Sequence, residues 1–305
     1  MAKRVLWAVL LVVLFCPLAA AQMTNLPTEV QTAIVQMGPR VDASIASRTY
    51  ALMQPLQAPR ADLCVGQDVS YGEGALRKLD LYEQPSPQAP TQPVVLFVHG
   101  GDFTSGDKRN GDNIAAYFAR HGMLGVSMNY RLAPAVAWPE QSLDIGKAVA
   151  WLGANAARYG GDPQRITVIG FSTGASVVAS YIFDQSIQTT REGVVGAVLM
   201  SGGFGYDSRK PIYYGEDSAK AAERQPREHI NQSTLPVLIV TTEFDPPKWA
   251  AESLDLAAAI CRRRSKCPPL LWLSGHNHIS EAASIDTPDD RLGTAILGFI
   301  GTVAK

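Results

Sequence analysis

A serine between two glycines is the residue of this sequence best suited to nucleophilic chemistry. The pentapeptide Gly-Phe-Ser-Thr-Gly occupies 170–174, after the β-type run 166–169 and at the start of an apolar helical pattern over 173–183. On such a tight strand-to-helix turn the nucleophile has strained backbone angles, its neighbours two positions away must be small, and the helix N-terminus favours developing negative charge. The pattern predicts that Ser172 is a nucleophile, with an ordinary glycine-flanked turn as the alternative.

An acidic residue suited to hold the base of this serine follows a later strand. A serine hydroxyl is a weak nucleophile at its own pKa and needs a base that a third group holds, and on this kind of turn the acid precedes the histidine along the chain. Asp245 comes just after the apolar run 237–241, and Glu243 is the alternative acid. Asp245 is favoured because Pro246 and Pro247 restrict the loop directly after it.

Two histidines, His276 and His278, follow the next apolar run, 270–273, so the order of acid and then base is satisfied. His278 begins a helical pattern, whereas His276 lies closer to the strand, and the residues alone leave both open as the base. His121 and His229 lie in helix-like or covering segments, and we interpret both as structural.

The tetrahedral intermediate of such chemistry needs fixed N–H donors for its oxyanion. The segment His-Gly-Gly-Asp at 99–102 follows the apolar run 94–98, where the carboxyl edge of a parallel sheet faces the site. We expect the main-chain N–H groups of Gly101, Asp102 and Thr173 to donate to the oxyanion, and the histidine of the segment to support the loop. A plain Gly-Gly turn is the alternative.

The elements that must position these groups alternate along the chain. The pattern predicts strands at 68–82 (a hairpin turning at 72–74), 94–98, 124–129, 166–169, 195–200, 237–241 and 270–273, and helices at 113–121, 141–159, 173–183, 250–262 and 291–303. Alternating strands and helices predict an α/β fold with a largely parallel sheet and right-handed crossovers.

The two ends of the N-terminal region have different characters. Residues 1–21 combine a basic start, an apolar run and a small-residue cleavage site, which predicts a secretory signal peptide and export to the periplasm or the medium. Residues 22–60 are helix-like and are interpreted as an appendage on the main domain, which spans 61–305.

The less regular stretch 204–234 is long enough to cover a site, and we interpret it as a cap segment. Its aromatic pair, Tyr213 and Tyr214, is expected to lie over the acyl pocket, with a place in the core as the alternative. Trp138 and Trp249 are assigned to packing.

Composition excludes several classes of protein. Hydrophobic residues make up 46% of the 305 residues and charged residues 18%, which argues against disorder. A net charge of −1 without basic blocks argues against nucleic-acid binding. No stretch after the signal peptide approaches the length of a membrane helix.

Three cysteines follow the signal peptide. In an oxidising compartment Cys261 and Cys267 are suited to pair and leave Cys64 free; three unpaired thiols, with Cys64 in the core, are the alternative. The arginine run 262–264 between the pair is interpreted as a solvated helix end.

Seven segments besides the serine turn resemble the α/β-hydrolase-fold serine esterases of the hormone-sensitive-lipase-like carboxylesterase group and their kynurenine-formamidase-like relatives. They are 99–101 (His-Gly-Gly), 105–108 (Ser-Gly-Asp-Lys), 129–134 (Asn-Tyr-Arg-Leu-Ala-Pro), 138–141 (Trp-Pro-Glu-Gln) with Asp144, 157–166 (Ala-Arg-Tyr-Gly-Gly-Asp-Pro-Gln-Arg-Ile), 235–237 (Leu-Pro-Val) leading to Asp245, and 275–278 (Gly-His-Asn-His).

This resemblance implies an eight-stranded sheet, an acyl-enzyme route and no metal or organic cofactor. It also implies that His278 is the base, because the second histidine of such a pair matches the catalytic one, and that His276 is a neighbouring or surface residue. Three residues depart from the usual pattern: Asp102 and Thr173 replace small residues, and Phe103 stands where tryptophan is frequent.

The leading hypothesis is a secreted hydrolase of small-molecule carboxylic esters, with no nucleic-acid or membrane partner once the signal peptide is removed. An amidase, formamidase or short-peptide hydrolase with the same residues is the second hypothesis. A non-catalytic binding module on a hydrolase fold is the third, since a fold does not prove a function.

Overall fold

The computed structural model describes residues 25–305 apart from 86–90, 188, 206–209 and 265, so the predicted signal peptide lies outside the described residues. The strands are β1 (Cys64–Ser70), β2 (Lys78–Tyr82), β3 (Gln92–Val98), β4 (Leu124–Met128), β5 (Gly161–Phe171), β6 (Val194–Met200), β7 (Val237–Phe244) and β8 (Leu270–Asn277). The helices are α1 (Thr28–Met37), α2 (Ala43–Met53), α3 (Asp112–Arg120), α4 (Glu140–Asn155), α5 (Thr173–Phe183), α6 (Pro211–Tyr214), α7 (Ser218–Glu223), α8 (Pro247–Arg264), α9 (His278–Ala283) and α10 (Arg291–Val303).

The strands form one eight-stranded sheet in the order β1-β2-β4-β3-β5-β6-β7-β8. The β1–β2 and β2–β4 pairs are antiparallel, and the other pairs are parallel, with β3 central between β4 and β5. The predicted α/β class, with its mostly parallel eight-stranded sheet, is confirmed. The carboxyl ends of β3, β5, β6, β7 and β8 meet at one edge, where an open α/β sheet binds its ligands.

Each face of the sheet is covered by helices, which explains the continuous apolar runs of its inner strands. Leu96 and Val168 belong to a core beneath α4, α5 and α8, whereas Phe97 and Ile169 belong to a second core beneath α3 and α10. The neighbouring residues of each strand point to opposite faces, and all four side chains are buried.

The N-terminal helices α1 and α2 form a small apolar cluster of their own, which includes Ile34, Met37 and Met53. This cluster reaches the main domain at Ala283 of α9, whose carbonyl also accepts a hydrogen bond of 3.0 Å from the Gln57 amide. The predicted appendage therefore packs on the helix that begins at His278.

Several element bounds differ from those that the apolar pattern predicts. β5, β7 and β8 continue into polar residues at their ends, and α8 begins at Pro247, three residues before the predicted start. The fourth helix ends at Asn155 and is followed by a short 3-10 turn, which stops at Gly160 with φ 70°. Among the helices of the described residues, none is long and apolar enough to be a membrane-spanning segment.

The region around the end of α8 tests two predictions, the pairing of the cysteines and the solvent exposure of the arginine run 262–264. Cys261 and Cys267 form a disulfide, so the alternative of three unpaired thiols is wrong. Cys64 is exposed, so it does not lie in the core as that alternative also expected. Arg264 is half-buried and donates to the carbonyls of Ile230 and Leu235. The interpretation of the arginine run as a solvated helix end is therefore wrong for Arg264, because its guanidinium turns back onto these two carbonyls.

Candidate active site

Ser172 lies on a sharp turn between β5 and α5. Its φ is 56° and its ψ −128°, a combination that is strained for a residue with a side chain. A Cβ at Gly174 would lie 2.3 Å from the carbonyl oxygen of Val98, so only glycine allows α5 to approach β3 this closely. The turn places the serine hydroxyl at the carboxyl edge of the sheet and at the N-terminus of α5.

Ser172, His278 and Asp245 form one chain of hydrogen bonds. His278 Nδ1 donates to Asp245 Oδ1 at 2.8 Å, and Ser172 Oγ donates to His278 Nε2 at 2.9 Å. A carboxylate only accepts, so it fixes the proton of the neutral imidazole on Nδ1 and leaves Nε2 free to accept from the serine. The three predicted residues thus have the geometry of a nucleophile, a base and the group that orients the base.

The second oxygen of Asp245 is also fully engaged. Oδ2 accepts hydrogen bonds from Ser201 Oγ (2.5 Å), from Thr241 Oγ1 (2.8 Å) and from the main-chain N–H of Thr242 (3.0 Å). Burial alone would raise the pKa of Asp245, but the bond from His278 and the bonds to Oδ2 outweigh it, and the pKa lies below its ordinary value. Asp245 is therefore held as a carboxylate.

The orientation of His278 results from the start of α9 and from two aromatic rings. Asn277 caps this helix by accepting from the Ser280 N–H at 2.9 Å, while Ser280 Oγ accepts from the Asn277 N–H, a reciprocal capping box. The imidazole lies between Phe171 and Trp249, at ring-centre distances of 4.9 and 4.6 Å. Trp249 thus packs, as assigned, but it packs against the base itself, a contact that no local pattern reveals.

Three main-chain N–H groups are the candidates for an oxyanion site. Gly101, Asp102 and Thr173 line the cavity beside Ser172, and in the described part of the chain nothing accepts from their N–H groups. Gly101 has φ 130°, and a Cβ there would lie 2.0 Å from the Ser105 carbonyl oxygen, so the loop requires glycine at this position. This is the arrangement expected of an oxyanion hole.

The unusual Asp102 has a cationic partner. Its carboxylate pairs with Lys210 at the rim of the cavity, and its own φ is 58°, a conformation that aspartate tolerates better than most residues. Lys210 therefore counters a negative charge that would otherwise oppose an oxyanion nearby.

The neighbouring Phe103 stacks on Tyr213 at 3.9 Å between ring centres.

The other candidates lie away from the serine. His276 is fully buried between Ser280 (3.0 Å) and Asp289 (3.1 Å), so the surface alternative is wrong, because β8 continues through it into the sheet. The alternative of a neighbouring residue stands, since Ser280 caps the helix that begins at His278. Glu243 is exposed and accepts from the Gly275 N–H at 2.8 Å, which places it outside the hydrogen-bond chain of the triad.

His99 is buried and supports the loop after β3, as expected. Its ring stacks on Tyr130 at 4.5 Å, and its carbonyl accepts from the Tyr130 hydroxyl at 2.7 Å. Burial lowers the pKa of His99, which favours the neutral ring.

A cavity of about 660 Å³ opens above Ser172. Its walls include Tyr50 of the N-terminal helix α2, Trp249 of α8 and Tyr214 of α6. Both tyrosines are buried, but of the two only Tyr214 lines the cavity, whereas Tyr213 stacks behind Phe103, so a substrate contact fits Tyr214 but not Tyr213. Within the described ranges, no group of three or more histidine, cysteine, aspartate or glutamate side chains is arranged to hold a metal ion.

Comparisons with known proteins show which proteins the chain is similar to. A family model described as BD-FAE matches residues 79–191. The probable carboxylic ester hydrolase LipM of Mycobacterium tuberculosis is 32% identical over 160 residues, which cover 52% of this chain and 37% of LipM. The chain thus spans little more than a third of that relative's length.

Two solved structures share the fold over nearly the whole chain. Esterase B of Lactobacillus rhamnosis superposes with a TM-score of 0.74 at 17% identity, covering 90% of this chain and 95% of the other. A bacterial heroin esterase superposes with a TM-score of 0.68 at 19% identity, covering 92% and 98%. The chain therefore has the α/β-hydrolase fold, and the resemblance to the serine esterases of that fold, which its motifs predict, is confirmed.

Proposed function

We propose that the protein hydrolyses carboxylic esters through an acyl-enzyme formed on Ser172. The observation that carries the proposal is the continuous hydrogen-bond chain from Ser172 through His278 to Asp245, which ends at a cavity beside three unpaired N–H donors. A nucleophile, a base, an orienting acid and an oxyanion site are the parts that acyl transfer requires.

In the first half-reaction, Ser172 Oγ attacks the acyl carbon while His278 Nε2 takes the serine proton. The carbonyl oxygen becomes an oxyanion between the N–H groups of Gly101, Asp102 and Thr173. The ester C–O bond then breaks, and the imidazolium returns the proton to the leaving alkoxide. Asp245 stabilises the positive imidazolium during these steps without taking its proton.

In the second half-reaction, water attacks the acyl group. His278 Nε2 takes a proton from this water, and the oxyanion forms in the same place. When the bond to Ser172 breaks, the proton passes to the serine oxygen, and the carboxylic acid leaves. Loss of one oxyanion donor typically lowers the rate by about 10²–10³-fold, so the Gly101–Asp102 loop is expected to contribute strongly.

Relatives support esters as the substrate class. The similar LipM and the structural neighbours Esterase B and heroin esterase carry ester-hydrolase names, and the cavity walls offer aromatic surface for an apolar acyl or alcohol group. Turnover of a panel of p-nitrophenyl esters with different acyl chains would measure which acyl lengths the cavity accepts.

The test uses the purified protein, a fluorophosphonate probe and matched p-nitrophenyl esters and anilides. We expect the probe to label Ser172, with S172A unlabelled as the control, and the esters to turn over faster than the anilides. If the anilides turn over faster than the esters, the proposed activity at this site is amide hydrolysis and not ester hydrolysis. Lack of labelling of the folded wild type would reject the catalytic function.

We propose that the protein is exported, on the signal-peptide pattern of residues 1–21. The disulfide between Cys261 and Cys267 supports an oxidising compartment, because such bonds are rare in the reducing cytosol. Mass spectrometry of the protein from the periplasm or the medium should give Gln22 as the first residue. An intact N-terminus on the cytosolic protein alone would contradict the proposal.

A further inference from the structure

A second carboxyl group lies beside the triad and takes no part in the steps above. Glu281 is one turn after His278 in α9, so both side chains lie on the same side of the helix. Its residue is 0% exposed, and neither of its carboxyl oxygens has a hydrogen-bond partner within the described residues. Burial of a charged carboxylate without a partner costs far more than burial of the neutral acid.

The side chain of Ser201 is already bonded to the triad acid. The Ser201 hydroxyl donates to Asp245 Oδ2 at 2.5 Å, and a serine hydroxyl has only one proton to donate. Toward Glu281, the Ser201 oxygen can therefore only accept, which requires a proton on Glu281.

The pKa of Glu281 fits this direction. Burial raises it well above its ordinary value, and the charge of Asp245 raises it further, whereas the Ser201 hydroxyl lowers it. Glu281 therefore belongs to the same buried group of side chains as Ser201 and Asp245, but as a carboxylate it has no hydrogen-bond partner there.

The helix α9 packs against β7, β8 and α2. The titratable and charged groups on these elements and at their ends are Glu243 and Asp245 from β7, His276 with its partner Asp289 from β8, and Asp42, Arg48 and Tyr50 from α2. The exposed members of this set are Asp42, Arg48 and Glu243. His276 and Asp289 pair with each other, which leaves Asp245 as the charge that acts on Glu281.

We propose that Glu281 is a positioning residue: as a neutral carboxylic acid it donates to Ser201, which keeps the Ser201 hydroxyl on Asp245 and Asp245 on His278. An ionised Glu281 would compete for the Ser201 proton and remove one of the bonds that hold the triad acid. The kinetic tests below rest on the proposed ester hydrolysis, whereas the spectroscopic test does not.

The first test compares Glu281→Gln with Glu281→Met. Glutamine is neutral and retains a donor, so E281Q should keep kcat close to that of the wild type. Methionine has no donor, so E281M should lower kcat about tenfold with little change in KM. A fully active E281M would overturn the positioning role, as would an E281Q that is no better than E281M.

The second test is the pH profile of kcat/KM, whose acid limb reports the protonation of His278 in the free enzyme. If Glu281 is neutral, E281Q leaves the acid limb in place. If Glu281 were ionised, E281Q would remove a negative charge that stabilises the imidazolium, and the limb would move to lower pH by about one unit. Such a shift would overturn the proposal.

The third test asks whether Ser201 links the two carboxyl groups. Ser201 has φ 46°, so Ser201→Gly removes the hydroxyl without adding strain. We expect S201G to lower kcat, and E281M to cause no further loss in the S201G background. Additive losses would show independent sites and overturn the chain. If E281M fails to fold, S201G and E281Q can be compared with the double variant S201G/E281Q, in which no further change is expected.

Infrared difference spectra of wild type minus E281Q test the protonation state without any substrate. A carbonyl stretch of a protonated carboxyl at neutral pH is the expected result, and a carboxylate band in its place would overturn the proposal. If the protein shows the protonated band but hydrolyses no ester, the neutral state of Glu281 is supported and only the proposed function is rejected.

Discussion

In the part of the chain that the structure describes, two histidines only two residues apart each bridge a serine and an aspartate. The open array consists of Ser172, His278 and Asp245, and the closed array consists of Ser280, His276 and Asp289. In the open array the imidazole gives its Nδ1 side to the carboxylate and its Nε2 side to the serine. In the closed array the sides are reversed, with Nδ1 on Ser280 and Nε2 on Asp289.

The two arrays differ most in what surrounds the serine. Ser172 is partly exposed to a cavity and lies beside free N–H donors, whereas Ser280 is fully buried and its hydroxyl is used in the capping box with Asn277. The three residue types therefore do not make a catalytic site by themselves. Access for a substrate and donors for the oxyanion distinguish the array suited to chemistry from the one that holds β8, α9 and the following loop together.

The largest expected contrast comes from the two serines. Ser172→Ala should lower kcat/KM for a p-nitrophenyl ester by about 10⁴-fold or more, because the nucleophile is lost, with thermal unfolding nearly unchanged. Ser280→Ala should retain turnover, because Asp245 and the two aromatic rings still hold His278. It should lower the free energy of unfolding by about 1 kcal/mol, because the cap loses a partner. Steady-state kinetics and thermal denaturation measure both, and an active S172A would reject the assignment of the nucleophile.

The two aspartates sharpen the same contrast. Asp245→Asn should lower kcat by about 10⁴-fold, because an amide no longer fixes the proton of His278 on Nδ1 or stabilises the imidazolium. Asp289→Asn should lower the free energy of unfolding by about 1–3 kcal/mol, because buried His276 loses its charged partner, and should leave kcat nearly unchanged. Comparable loss of kcat in both variants would show that the closed array also serves catalysis.

Acid stability separates the arrays by a different measurement. Burial alone would raise the pKa of Asp289, but Arg291 and His276 hold it well below its ordinary value. A carboxyl group whose pKa is lower in the folded than in the unfolded state stabilises the fold. This stabilisation is complete above the unfolded-state pKa, near 4, and is lost as the pH falls further.

Urea denaturation of the wild type and of Asp289→Asn between pH 7 and pH 3 checks this contribution. The difference in unfolding free energy between the two proteins should be largest at neutral pH and should shrink as the pH falls below about 4. A constant difference would mean that Asp289 is not the group that titrates. Asp245, whose pKa is also lowered, remains in both proteins and cancels in the comparison.

Features that depend on local periodicity could be predicted from the sequence. The bounds predicted for α5 and α10 match the structure, because their apolar faces repeat at the helical period and pack on the sheet. The Ser172 turn was predictable for a similar reason, since its two small neighbours are a local steric requirement.

Contacts between distant segments could not be predicted in this way. The spacing of His276 and His278 does not reveal which ring reaches Ser172, and only the resemblance distinguished them. Trp249, Ser201 and Glu281 act on the triad from three separate parts of the chain, so no window of sequence contains their contacts. Ser201 did offer one signal, because it comes directly after β6 at the edge where parallel strands place functional groups.

The smallest expected effect concerns the rim of the open array, which has no counterpart in the closed array. Lys210 pairs with Asp102, whose main-chain N–H is an oxyanion donor in the proposed mechanism. Lys210→Met leaves the Asp102 carboxylate uncompensated and should lower kcat about two- to threefold at low salt, with a smaller loss at high salt because both side chains are partly exposed.

Asp102→Asn provides the matched control, because it removes the charge, keeps the N–H donor and suits the left-handed φ of this position. In the D102N background, Lys210→Met should have no effect on kcat at any ionic strength. If Lys210→Met lowers kcat equally in both backgrounds, Lys210 acts on the substrate and not through Asp102. The oxyanion site would then tolerate the Asp102 carboxylate without compensation by Lys210.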